Sequence, residues 1–98
     1  MGKVKNVIDI LDKMDQKEKL RFGITMCRSD YTNLIYDKEM IFNVFDRKLR
    51  KIDEEYATSY VNMRKYPLIL FTMAKIMEMS DSEQNRVLFY LINCFNSI

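Results

Sequence analysis

Hydrophobic residues recur every three or four positions along most of this chain, which is the period of one face of an α-helix. The longest such pattern runs from about Lys38 to Tyr66, and neither Gly nor Pro interrupts it before Pro67. A single helix of that length would extend roughly 40 Å at about 1.5 Å per residue. We therefore predict that the other helices pack along this element. Its apolar face is predicted to contain Ile41, Phe45, Leu49, Ile52, Tyr56, Tyr60 and Met63.

Three further segments have helical patterns. An amphipathic helix is predicted from about residue 3 to Met14, with Val4, Val7 and Leu11 on its apolar side. The run from Leu68 to Met79 is apolar except for a narrow polar strip, which predicts a nearly buried central helix. Residues 80–83 read Ser-Asp-Ser-Glu, the pattern of a capping box that opens a last helix.

The segment from Gln16 to Tyr36 permits two interpretations. Residues 15–18 form another capping box, which favours a helix from Gln16 to about Arg28. Alternatively, apolar and polar residues alternate from Leu20 to Cys27, as in a half-buried strand of a short β-hairpin near residues 20–36. We favour the helix because a capping box is directional evidence, and the hairpin remains open.

Composition supports a single folded domain over residues 1–98. Hydrophobic residues make up 48% and charged residues 31%, a balance typical of folded proteins. Only two Gly and one Pro are present, which disfavours a many-turned β-sandwich or barrel. The predicted fold is an all-α, small compact bundle of about five helices around the helix near 38–66; an α+β fold with the hairpin is the alternative.

Candidate catalytic chemistry is scarce. The chain has no His, the commonest general base and a common metal ligand. Cys27 and Cys94 lie far apart and show no metal-type spacing, so we expect reduced, buried thiols. The carboxylates match no known metal loop. We therefore predict a non-enzyme without catalytic residues, metal or cofactor.

The chain is expected to be cytoplasmic and without a membrane contact. Its first residues lack the apolar run of a signal peptide. The longest apolar run, Leu68–Met79, is shorter than the roughly 20 residues that a spanning helix needs, and it includes Lys75 and Glu78.

A basic block within the long helix is the first candidate binding site. Arg47, Lys48, Arg50 and Lys51 could contact phosphates of a nucleic acid. However, Asp46, Asp53 and Glu54 flank the block and suggest ordinary ion pairs on a solvated helix. With a net charge of only +2, nucleic-acid binding is the less favoured interpretation.

A surplus of adaptable and aromatic side chains is the second candidate. The chain has eight Met, six Tyr and six Phe, residue types that are favoured at protein interfaces. Met40, Phe42, Phe89 and Tyr90 leave the main apolar stripes of their helices. They either widen the core or form a contact surface.

The sequence therefore favours a small non-catalytic protein, a regulator or inhibitor that acts on a larger protein by docking helices on it. A helical nucleic-acid-binding regulator that uses residues 47–51 is the alternative. Self-association as a homodimer is also expected, because the off-stripe apolar residues need cover. The Asn- and Met-rich composition suggests a phage or another mobile element as the source.

Overall fold

The computed structural model describes residues 2–58 and 65–95. It is an all-α bundle, as predicted, and no strand occurs in the described part of the chain. The hairpin alternative is therefore wrong, and the favoured helix from Gln16 to Arg28 is confirmed. The helices are α1 (Gly2–Asp12), α2 (Gln16–Arg28), α3 (Lys38–Ile52), α4 (Glu54–Thr58), α5 (Pro67–Met77) and α6 (Asp81–Cys94).

Helix α2 occupies the centre of the bundle. The carboxylate of Asp15 accepts a hydrogen bond from the Glu18 backbone N–H and caps the start of this helix. Helix α2 packs on α3, α5 and α6. At Gly23 it lies so close to α3 that a Cβ atom would stand 2.7 Å from the Phe45 ring. Its buried residues are Leu20, Arg21, Phe22, Gly23, Ile24, Met26 and Cys27.

The helix predicted near 38–66 is shorter than the pattern suggested. It begins at Lys38 but ends at Ile52, because Asp53 adopts an extended backbone with φ of −136° and ψ of 98°. The Asp53 carboxylate accepts hydrogen bonds from the Tyr56 backbone N–H, at 3.3 Å, and from the Arg21 guanidinium, at 2.8 Å. The Asp53 carboxylate therefore caps the start of α4 and also holds Arg21 of α2. The predicted stripe residues Tyr60 and Met63 lie outside the described residues.

Helix α5 is only half buried, so the prediction of a nearly buried helix is wrong. Pro67 occupies its first turn, where a missing N–H costs no hydrogen bond. Ile69, Thr72, Met73 and Ile76 face the core. Among the described helices, α5 packs mainly on α1 and α2, and the opposite side, with Leu70, Phe71 and Met77, is exposed.

The segment between α2 and α3 is irregular rather than helical, and it is tied to α6. The backbone N–H of Asn33 donates to Gln84 Oε1 at 3.0 Å, and that of Ile35 donates to Asn85 Oδ1 at 2.8 Å. Helix α6 itself begins at the predicted capping box, in which Ser80 and Glu83 exchange hydrogen bonds. None of the described helices has an apolar stretch long enough to cross a membrane.

Candidate functional site

An open apolar groove separates α3 from α6. Phe45 of α3 packs against Phe95, the residue that directly follows α6. Their ring centroids lie 6.0 Å apart in an edge-to-face arrangement. Above these rings is a cavity of about 170 Å³. An apolar cavity of about 150 Å³ suffices to hold a benzene ring, so this one can receive one aliphatic or aromatic side chain. Its lining residues are Met40, Ile41, Val44, Phe45, Lys48, Ile92 and Phe95; we call it the α3–α6 groove.

Met40 forms one rim of this groove. It occupies the first turn of α3, which Asp37 caps by accepting from the backbone N–H groups of Glu39 and Met40. The Met40 side chain is 58% exposed although it lines the cavity. Val44 and Lys48 follow at four-residue intervals and line the same cavity, as the helical period requires.

Phe89 of α6 is exposed but does not line the cavity. It lies on α6 between Asn85, which binds the backbone of residues 33 and 35, and Ile92, which lines the cavity. Residues three and four apart share a helix face. Phe89 therefore shares a side of α6 with Ile92, and it is 53% exposed. Of the residues predicted from sequence, Met40 lines the cavity and Phe89 does not.

The other two predicted residues have partners within the chain. The Arg28 guanidinium lies over the Phe42 ring, 4.3 Å from its centroid, and Phe42 is half-buried on the α2 side of α3. The Tyr90 hydroxyl donates to the Asp12 carboxylate and joins α6 to α1. This hydrogen bond, together with burial, raises the pKa of Tyr90. Neither Phe42 nor Tyr90 lines the cavity of the groove.

The basic block is divided between two sides of α3. Arg50 Nε donates to the Asp46 carboxylate at 2.9 Å, so it is already paired. The Asp46 carboxylate also accepts from the Tyr56 hydroxyl. Burial opposes ionisation of Asp46, but these hydrogen bonds outweigh it and lower its pKa. This arrangement is the ordinary ion pair that the sequence suggested.

Three residues of the basic block lie on the side of α3 that faces the groove. Lys48 lines the cavity, while Arg47 and Lys51 are exposed. Arg47 and Lys51 lie three and seven residues after Val44, which places them on its side of the helix. This side of α3 therefore changes from apolar at Met40 and Val44 to cationic at Arg47, Lys48 and Lys51.

Sequence reasoning missed the exposed apolar residues of α5 and of the α2–α3 segment. Leu70, Phe71 and Met77 of α5 are 47%, 55% and 51% exposed. Ile35, beside Asn85, is 78% exposed. The signal for α5 was present, because a helix that is apolar nearly all round needs cover on every side. A chain of this size has too few helices to surround it.

The described residues offer little chemistry besides these surfaces. Residues 2–58 and 65–95 bring no three His, Cys, Asp or Glu side chains together as a metal site would require. Cys27 is buried, and burial raises the pKa of its thiol to about 11. Cys94 is only half-buried, which differs from the expectation of two buried thiols. No protein-family model, curated protein or solved structure matches this chain.

Proposed function

We propose that this chain is a non-catalytic protein that binds a larger protein through the α3–α6 groove and thereby regulates it. The observation that supports the proposal is the open cavity of about 170 Å³ between Met40 and Ile92. Helix-in-groove recognition uses such a cavity to receive an apolar anchor residue of a partner helix. Buried anchors of this kind supply most of the binding energy of an interface.

The charges at the groove indicate the chemistry of the partner. Arg47, Lys48 and Lys51 lie on the groove side of α3, about two to three turns after Met40. A partner segment that places an apolar side chain in the cavity and carboxylates one or two turns away would pair with these cations. The proposed partner is therefore an acidic amphipathic helix of another protein, recognised by shape at one end and by charge at the other.

The nucleic-acid alternative receives less support from the same residues. A duplex-binding helix presents a continuous cationic stripe. Here Arg50 is paired with Asp46 at 2.9 Å, and the side of α3 that carries Arg47 and Lys51 continues into exposed Met40. Retention of duplex DNA or RNA at low salt, with a steep loss of affinity as salt rises, would support this alternative instead.

The test is affinity capture from an extract of the source cells with three baits. These are the wild-type chain, Met40→Asp in the groove and Met77→Asp on α5. Both methionines are about equally exposed, at 58% and 51%, so the two substitutions are matched in chemistry and surface position. We expect a protein that wild type and Met77→Asp retain, while Met40→Asp retains at least about tenfold less, because the new carboxylate at the rim would lose water without gaining a partner when the apolar anchor enters the cavity.

Two results would count against the groove. Equal retention by all three baits would place the binding surface elsewhere. Loss with Met77→Asp but not with Met40→Asp would assign binding to α5. Circular dichroism of each bait shows whether its helices are intact, so that a loss of binding is not mistaken for unfolding.

A further inference from the structure

The outer side of α5 has the features of a helix face that packs against another helix. Its exposed residues are Pro67, Leu70, Phe71, Ala74, Met77 and Glu78, and only Glu78 among them is polar. We call this surface the α5 face. It is separate from the α3–α6 groove, because none of its residues lines that cavity.

The pattern on the α5 face is self-complementary about Ala74. Leu70 lies four residues before Ala74, and Met77 lies three after it. Phe71 lies three residues before Ala74, and Glu78 lies four after it. When two such helices pack antiparallel about a twofold axis at Ala74, Leu70 and Met77 lie on the same flank of the contact, and Leu70 of one copy is within one residue rise, about 1.5 Å, of the level of Met77 of the other. On the other flank, Phe71 of one copy is likewise within about 1.5 Å of the level of Glu78 of the second copy.

The charges complete this arrangement. Lys75 Nζ lies over the ring of Phe71, 4.9 Å from its centroid. In the antiparallel pair the ammonium of Lys75 would therefore face the Glu78 carboxylate of the second copy, and the twofold axis would repeat this ion pair. The small side chain of Ala74 at the crossing point would allow the two helices to approach closely.

We propose that the chain forms a twofold dimer in which the α5 faces of two copies pack antiparallel, with Ala74 at the crossing and Lys75 paired to Glu78 across the interface. Twofold dimers are the commonest homo-oligomers. One helix face is smaller than the roughly 800 Å² per partner of a standard interface. The dimer is therefore weak, forms at high protein concentration, and leaves the groove of each copy open.

A charge-swap experiment tests the intermolecular ion pair. In Lys75→Glu both positions 75 and 78 are acidic, and in Glu78→Lys both are basic. Each variant alone should associate at least tenfold more weakly than wild type, because like charges meet across the twofold axis. A 1:1 mixture of the two variants should recover association, because every contact then joins opposite charges. Sedimentation equilibrium measures the association of four samples, namely wild type, each variant alone and the 1:1 mixture.

Controls separate this proposal from the groove. Phe89→Ser should associate as wild type does, because Phe89 lies outside the α5 face. Ala74→Glu should abolish association through steric and charge conflict at the crossing. Two results would overturn the proposal: a wild-type mass that stays at 11.8 kDa up to millimolar concentration, or a mixture of variants that associates no more than either alone. Failure of the groove proposal would leave these results unchanged.

Discussion

The guanidinium of Arg21 on α2 lies 2.8 Å from the carboxylate of Asp53, at the break between α3 and α4. Both residues are buried, with 5% and 8% of their surface exposed. The rings of Tyr66 and Tyr56 stand 4.6 and 5.3 Å from the Arg21 guanidinium carbon. This ion pair fixes the position at which the chain leaves α3, and it also holds α3 against the central helix.

Replacing Asp53 by Asn should destabilise the protein by about 3–5 kcal/mol. The amide can still accept the hydrogen bond from Tyr56 N–H, but the buried Arg21 cation loses its counter-charge. The matched control is Asp9→Asn, because the Lys5–Asp9 pair at 3.5 Å is exposed and should contribute at most about 1 kcal/mol. Urea denaturation measures the free energy of unfolding of both variants. Equal effects of the two substitutions would contradict this account of the buried pair.

The same ion pair predicts a loss of stability in acid. Burial alone would raise the pKa of Asp53, but the hydrogen bonds from Arg21 and Tyr56 outweigh it and hold the pKa below its ordinary value of 3.8. The unfolded chain therefore takes up the proton at a higher pH than the folded chain does. The stabilisation is present above the unfolded pKa and disappears as the pH falls through the folded pKa.

Unfolding free energies of wild type and Asp53→Asn, measured from neutral pH down to about pH 2, should converge as Asp53 is protonated. The difference should be largest near neutrality. Asp46 and Glu83, whose pKa values are also lowered, are present in both proteins and largely cancel from the comparison. A difference that does not change with pH would show that Asp53 stabilises the fold by packing and not by charge.

Replacing Gly23 by Ala should destabilise the protein although Ala is the better helix former. The new Cβ would stand 2.7 and 2.8 Å from two carbon atoms of the Phe45 ring, and that ring is confined by Phe95. Overpacking of this kind costs about 1–3 kcal/mol, against a gain of about 1 kcal/mol in helix propensity. Phe45→Leu in the same chain should relieve part of the clash. A higher melting temperature for Gly23→Ala alone would contradict the close approach of α2 and α3.

Replacing Ser80 by Ala should cost about 0.5–2 kcal/mol, because the Glu83 backbone N–H loses its acceptor at the start of α6. Ser82→Ala is the control, since Ser82 is exposed and is not part of the capping box. Thermal denaturation compares the two variants. An unchanged transition for Ser80→Ala would remove the support for a helix start at this serine.

Local patterns predicted the helices well. The capping residues Asp15 and Ser80 fix helix starts through hydrogen bonds that span three residues, so a short sequence window contains all the information. Of the predicted apolar stripe, Ile41, Phe45 and Leu49 are buried as their spacing required, whereas Ile52 beside the break is 38% exposed. These features depend on neighbours within one turn, which explains why sequence alone could predict them.

The break at Asp53 depends on a residue far away in the chain. Asp53 is followed by Glu54 and Glu55, which is typical of a helix start, but the same residues also suit the middle of a solvated helix. Arg21 decides between these possibilities, and it lies 32 residues earlier. The groove has a similar origin, because Met40 of α3 and Ile92 of α6 line one cavity only once both helices are packed in the bundle.

The most direct test of groove binding is the methyl spectrum of the methionines, recorded by nuclear magnetic resonance with and without the captured partner. The chain has eight Met residues, among them Met40 in the groove, exposed Met77 on the α5 face and fully buried Met26. Groove binding predicts that the Met40 methyl signal shifts or broadens most, while Met26 and Met77 change little. An unchanged Met40 signal at saturating partner would contradict the assignment of the groove as the binding site.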